Sequence, residues 1–360
     1  MAVHGAWLPP LAAWLAAAAL LCGAATAAGH SPFEASTWAR FDSGHYESIA
    51  RHGYDLHRCR PGEGQNPHAQ WCGNTAWFPA YPLLLAAAAA VGLPLEPAGV
   101  VISWVAAAAT LLLLWRWFLR GRFGALACAA FAPGVVYLYA VYPMSLFALA
   151  SVVYVRLLER EHRWAGVAGA VAALAYPIGM VLVPLVALVY ARRRLGRIGA
   201  LAGPAVVAGF ALVLAQRLQT GRWTAYFDVA NTYGGLHEPA ETFWRWLRVL
   251  WNSSGPFGYT LAPVWQLLLV TVLLAAVVAA VVRRRDTRDT RDIALLVWCA
   301  GVWVVPLLQP GQSLWRSEAA LVLLMPLLAR LPRPFIWTAA IALVVVGFAL
   351  AHGYFAGTLV

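Results

Sequence analysis

The feature that most constrains this chain is a succession of long apolar runs separated by short clusters of arginine. A first run covers Leu8 to Ala28, and others follow at about 76–93, 97–115, 124–141, 143–157, 165–191, 201–218, 260–282, 293–308, 317–330 and 335–351. Backbone N–H and C=O groups in lipid have no water to bond, so such runs are expected as helices that satisfy their own backbone. Charged residues are 11% of the chain and apolar residues 62%, whereas a soluble domain carries roughly 25% charged residues. The expectation is an all-α polytopic membrane protein in which residues 1–360 form one integral membrane domain. The runs number about ten or eleven transmembrane helices, although several are shorter than the roughly 20 residues of a straight span and read as half-helices or tilted pairs. A soluble enzyme or binding module is excluded.

Lys and Arg number 26 against 15 Asp and Glu, a formal charge of +11. The basic residues lie between apolar runs, the pattern of the positive-inside rule rather than of a nucleic-acid patch, so no nucleic-acid partner is expected. The first run is preceded only by His4 and is long for a signal peptide, so it reads as an uncleaved first span. Two arginine clusters, Arg192, Arg193, Arg194 and Arg197, then Arg283, Arg284, Arg285, Arg288 and Arg291, are expected in the cytoplasm. Two crossings separate them, which places 219–259 outside as a second extracytoplasmic loop, and 309–316 outside as well. The polar stretch 29–75 is then the first and largest extracytoplasmic loop. Arg116, Arg120 and Arg122 fall on the wrong side if every run spans once, so one re-entrant or broken segment is expected between 97 and 191.

The first loop carries the chemistry. Cys59 and Cys72 lie 13 residues apart in it, and an extracytoplasmic setting favours a disulfide between them, stabilising by about 2–4 kcal/mol. Residues 38–54 read WARFDSGHYESIARHGY, with Trp38, Phe41, His45 or Tyr46 and Ile49 at helical spacing. That pattern predicts an amphipathic helix at the interface, ended by Gly53 at positive φ. Asp42, His45, Tyr46 and Ile49 share a face, and a carboxylate beside aromatics suits a general base at headgroup depth. The competing role for Asp42 is a solvated or helix-capping carboxylate. His45, His52 and His57 are spaced by seven and five residues, which does not gather them on one face, so no metal site is expected.

The stretch FDSGHYESIARHGYD, followed after an insertion by NTAWFPAYPLL, resembles the opening loop and second span of the mannosyltransferase family that includes the second mannosyltransferase of GPI-anchor synthesis and its bacterial homologues, within the GT-C superfamily. TGRWTAYFDVANTYGG at 220–235 is similar to a later loop of that family. The resemblance implies a GT-C-like bundle with Asp42 as, or near, the catalytic base, and His45, Tyr46, His52 and Tyr54 around the substrate. Phe78, Pro79 and Pro82 match the start of the second span. Trp223, Tyr226 and Tyr233 are either a sugar platform or an interfacial aromatic belt. Arg316 matches a late basic residue that pairs with a lipid phosphate; its plain alternative is an arginine snorkelling to the interface. The chain departs from the family at Tyr142, Pro143, Met144 and Ser145, where a glutamate is missing, and at Tyr176, Pro177, Ile178 and Gly179, where an arginine is missing.

The expected function is therefore that of an inverting glycosyltransferase, a mannosyltransferase, which moves a hexose from a polyprenyl-phosphate donor to a lipid, glycan or protein acceptor outside the cytoplasm. A monophosphate leaving group needs no divalent cation, so no metal or other cofactor is expected. The alternatives are a lipid-linked sugar transporter or flippase, and a catalytically degenerate scaffold subunit. The Ala- and Arg-rich composition points to a bacterial plasma membrane, with membrane lipids as the surrounding partners.

Overall fold

The structure is a computed structural model, and it describes residues 7–64, 66, 68–191, 195–233, 238–252, 261–283, 289–308 and 314–359. Arg192, Arg193, Arg194, Arg284, Arg285, Arg288, His237 and residues 309–313 lie outside the described residues.

In chain order the elements are α1 (Leu8–Ala27), α2 (Ala35–Trp38), α3 (Ser43–His52), strands β1 (Leu56–Arg58) and β2 (Trp71–Gly73), α4 (Ala80–Ala90) and α5 (Leu95–Leu114), which a π-helical turn extends to Leu119. There follow α6 (Phe123–Ala130), α7 (Val136–Tyr139), α8 (Met144–Glu159), α9 (Ala165–Ala175), α10 (Pro177–Ala191) and α11 (Ile198–Thr220). The second loop holds α12 (Ala225–Thr232) and α13 (Pro239–Asn252). Then come α14 (Ala262–Arg283), α15 (Thr290–Leu307), α16 (Leu314–Ser317), a 3₁₀ helix (Glu318–Leu324), α17 (Met325–Leu328) and α18 (Arg333–Phe355). The strands pair antiparallel, with His57 opposite Cys72.

Six helices, α1, extended α5, α11, α14, α15 and α18, are long and apolar enough to cross a membrane. The fold is all-α and of multi-pass membrane type, with Val207, Phe210, Val282 and Ile341 among the apolar side chains left exposed for lipid. The ten or eleven apolar runs are therefore not ten or eleven long helices. Run 76–93 holds only the 11 residues of α4, which turn at 91–94 into α5. Runs 124–141 and 143–157 become α6, α7 and α8, and 165–191 becomes the pair α9 and α10. Run 317–330 is a 3₁₀ helix and a single turn, buried from Ser317 to Ala329.

The breaks have local causes. Tyr176 precedes Pro177, and the proline ring excludes a helical conformation from the residue before it; Tyr176 is extended, at φ −152° and ψ 141°. The two helices then fold back on one another. A Cβ on Gly179 would lie 2.4 Å from the carbonyl oxygen of Ala172, an approach only glycine permits.

Ion pairs show which ends meet. Arg291 on α15 pairs with Glu159 at the end of α8 at 2.9 Å and lies over Phe118 in the π-turn at 5.0 Å. Arg330 clasps Asp292, and Arg122 donates to the carbonyl of Ala329 at 3.4 Å. Residues 116–122, 156–159, 289–292 and 329–330 thus share one end. Helix α5 arrives at that end, and α6 to α8 leave it and return in one excursion. Run 165–191 then folds back at Tyr176 instead of crossing once, with Arg197 meeting Glu161, and it is this fold-back that restores Arg116, Arg120 and Arg122 to the arginine-rich side. In a background with Cys22, Cys128 and Cys299 replaced by Ala, Arg120→Cys and His162→Cys are expected to react with a membrane-impermeant maleimide from the same side, and His68→Cys from the other. Labelling of positions 120 and 162 from opposite sides would refute the excursion.

Candidate active site

The first loop does not form the continuous helix that residues 38–54 predict. Trp38 ends α2, locked by edge contacts with the rings of Trp104 and Phe355 at 5.3 Å and by the Tyr354 hydroxyl, which donates to its carbonyl at 3.0 Å. The chain then turns through Phe41, which sits at φ +53°. Left-handed backbone at a bulky residue stores strain that its surroundings must over-determine. Those surroundings are visible: the Asp42 N–H donates to the Tyr142 hydroxyl at 3.0 Å, and that hydroxyl donates to the Arg40 carbonyl at 3.1 Å. Ser43 Oγ donates to the carbonyls of Arg40 and Val141, at 2.8 and 3.1 Å. Helix α3 then runs to Gly53, whose φ of +78° closes it as expected.

Asp42 occupies the N-cap position of α3 yet makes no capping hydrogen bond. Its Oδ2 instead accepts from the Trp77 indole N–H at 3.0 Å and from Arg316 Nη1, 274 residues away. Both donors meet one oxygen, and Oδ1 accepts no hydrogen bond among the described residues. The carboxylate is 23% exposed and the guanidinium 13%, so the pair is held at the mouth of the core. Burial pushes the Asp42 carboxyl up, but Arg316, the Trp77 hydrogen bond and His45 together outweigh it and hold the carboxyl below its ordinary range. His45 stacks on Trp77 with ring centroids 3.6 Å apart. Burial holds its imidazole below the usual range, more than Asp42 raises it, and Arg316 adds to the lowering.

Arg316 lies on α16, over the rings of Tyr142 and Tyr137 at 5.3 and 5.9 Å. Its Nε is buried and has no hydrogen-bond partner among the described residues. The segment is pinned from below by Gln266 on α14, which accepts from Gly134 N–H at 2.7 Å and donates to the Trp315 carbonyl at 3.1 Å and to Glu318 at 2.5 Å. Beside it, the hydroxyls of Tyr176 and Ser317 are hydrogen bonded at 2.9 Å. The broken apolar runs thus supply the site: the turns at Tyr142 and Tyr176 and the short helix α16 converge on the carboxylate from three directions. The Tyr142 carbonyl accepts from Ser103, eight residues along α5 from Leu95, which is about 12 Å at 1.5 Å per residue. The site is therefore recessed from the Leu95 end of α5.

Of the residues singled out in the sequence, Asp42, His45, Tyr46 and Arg316 gather here. Tyr46 is buried, edge-on to Tyr81 and Tyr142. Tyr54 stands one step behind: its hydroxyl donates to the Trp77 carbonyl at 3.2 Å and its N–H to Gln219 at 2.6 Å, so it positions Trp77. Tyr226 stacks on Phe78 at 5.7 Å, on the other side of that same stretch. His52 is exposed at the far end of α3, and Trp223, 55% exposed, lies against Arg217. Neither reaches the carboxylate: His52 lies exposed at the end of α3, and Trp223 lies in the exposed turn between α11 and α12. Cys59 and Cys72 are joined, closing the β1–β2 hairpin. His57 bridges Asp55 at 2.8 Å and Glu63 at 3.0 Å within that hairpin, away from His45. Burial lowers its affinity for a proton, but the two carboxylates outweigh burial and raise it.

Trp77, Gln266 and Glu318 were not expected at the site, and Tyr142 and Tyr176 were noted only as departures from the family pattern. The signals were present: a tyrosine before proline in an apolar run needs a partner for its hydroxyl, and Gln or Glu inside such a run is functional by default. No protein-family model and no curated protein matches the chain.

Proposed function

We propose that this chain is a GT-C-type inverting glycosyltransferase, a mannosyltransferase, that moves a hexose from a polyprenyl-phosphate donor to an acceptor on the side opposite its arginine-rich end. The observation that carries the reading is the Asp42–Arg316 contact, in which a carboxylate and a guanidinium far apart in sequence meet while both stay partly exposed. Single displacement at a glycosidic carbon needs these two groups. The acceptor oxygen forms its bond to the anomeric carbon as the bond to phosphate breaks; the acceptor proton passes to Asp42 Oδ1, and the lipid phosphate leaves with the electron pair. Arg316 balances the phosphate, for which its partnerless Nε–H and its fork of donors are suited.

The pair also explains how a carboxylate held below its usual range can act as a base. With Arg316 engaged, Asp42 is a weak proton acceptor. An arriving phosphate competes for the guanidinium, and Asp42 then keeps its burial while losing its main counter-charge, which raises its proton affinity when the donor is in place.

The test is transfer from radiolabelled polyprenyl-phosphate mannose by membranes containing the wild-type protein, with and without EDTA. Label is expected to appear in an acceptor at an undiminished rate in EDTA. No transfer with a broad acceptor extract would overturn the reading, and loss in EDTA restored by Mg²⁺ or Mn²⁺ would overturn its metal-free form.

A further inference from the structure

Outside the carboxylate site, β2 and α12 border a half-open cleft of about 720 Å³, within the range of about 300–1,000 Å³ usual for small-ligand pockets. Its walls include Gln70, Trp71, Tyr226, Phe227, Asp228 and Asn231. They are held at both ends of α12: Thr75 Oγ1 donates to the Ala225 carbonyl and Thr232 Oγ1 to the Trp71 carbonyl, each at 2.6 Å. The Cys59–Cys72 disulfide closes the hairpin directly behind Trp71. The pocket is thus preformed, which reduces the ordering a ligand must impose.

We infer that this cavity binds the saccharide portion of the acceptor, an inference that rests on the glycosyl-transfer reading above. Phe227 leaves 71% of its surface open and meets the Tyr226 ring edge-on at 5.2 Å, an apolar corner for the C–H face of a sugar. The Asn231 side-chain amide makes no hydrogen bond among the described residues and offers both a donor and an acceptor to hydroxyls. The lining cation, Arg222, is already neutralised by Asp228 at 2.8 Å and packed over Trp71 at 4.5 Å, so the pocket suits a neutral polyhydroxylated ligand better than an anion. Tyr226 is stacked on Phe78, next in sequence to the Trp77 that holds Asp42. The cavity wall is thus linked through the Tyr226–Phe78 stack to the stretch that holds Asp42.

The experiment is saturation-transfer NMR on the full chain in nanodiscs with α-mannobiose as the probe, beside acceptor KM measurements. Phe227 and Asn231 are exposed, so Phe227→Ala and Asn231→Ala leave the core intact. Each is expected to weaken the mannobiose signal and raise acceptor KM roughly tenfold, the effect of about 1.4 kcal/mol, with donor KM unchanged. Asp42→Asn is expected to keep the mannobiose signal. No signal from wild type, or signals indifferent to both substitutions, overturns the pocket. Preferential saturation of inositol 1-phosphate that Arg222→Gln abolishes also overturns it, in favour of an anionic headgroup. Mannobiose binding that depends on Phe227, without any sugar transfer by wild type, sinks the transferase reading instead and leaves the pocket standing.

Discussion

Asp42→Asn is expected to reduce sugar transfer by roughly 10²- to 10⁴-fold, the usual contribution of a positioned general base. The amide keeps the volume of the carboxylate and can still accept from Trp77, but it cannot take the acceptor proton. It also leaves Arg316, 13% exposed, without its anionic partner. Removing one member of a buried pair is destabilising by about 3–5 kcal/mol, and this pair, being partly exposed, should fall toward or below the lower figure. Protein levels must therefore be matched before rates are compared. Equal transfer by wild type and Asp42→Asn would leave the enzyme standing but remove Asp42 from its mechanism.

The second large effect is expected at Arg316. Arg316→Gln should raise donor KM and lower kcat while acceptor KM stays near wild type, because the guanidinium is proposed to meet only the phosphate. Arg316→Lys should recover part of the rate, since it restores the charge but not the planar fork. The pH profile separates these roles from simple damage. In the wild type, Arg316, Trp77 and His45 outweigh burial and hold Asp42 low. A carboxyl so depressed contributes stability above its unfolded value of about 3.9 and loses it as pH falls through the lower folded value. Without Arg316, burial dominates, so the acid limb of any residual activity moves to higher pH and the ionised carboxylate becomes a destabilising group near neutrality. The double variant Asp42→Asn with Arg316→Gln should be more stable than either single one, because the stranded charge is gone, yet remain inactive. An acid limb unmoved in Arg316→Gln would show that the two groups do not act on each other in solution.

Three of the groups around this carboxylate lie in segments whose apolar runs look alike in sequence but behave differently in space. Run 201–218 becomes part of a 23-residue helix, whereas run 165–191 folds back at Tyr176. Both expose apolar side chains, for lipid solvates a helix that spans and a helix that returns in the same way, and no polar face records the difference. The conflict over Arg116, Arg120 and Arg122 announced that a break existed between 97 and 191 without locating it. The contacts of Arg291 with Glu159 and Phe118 bring 118 and 159 to one end, and the fold-back at Tyr176 is the break that removes the odd crossing.

The first loop was more legible, because its residues meet water and its patterns are local. The amphipathic run, the closing glycine at position 53, the cysteine pair and the carboxylate at 42 could all be read from types and spacing, whereas the arginine at 316 drew attention only through the family resemblance. The interruption at Phe41 could not be read at all, since its left-handed backbone is imposed by Tyr142 and Tyr354, more than 100 and 300 residues away in sequence. What the amino-acid sequence determined by itself was the solvent of each segment, lipid or water, and the identity of the ionisable groups at their boundary, because partition depends on composition over a short stretch. Which of those groups meet was decided only by the tertiary structure: Asp42, Trp77 and Arg316 share one oxygen because helices broken at Tyr142 and Tyr176 let three turns reach a single point, and that convergence is a property of packing, which no local pattern encodes.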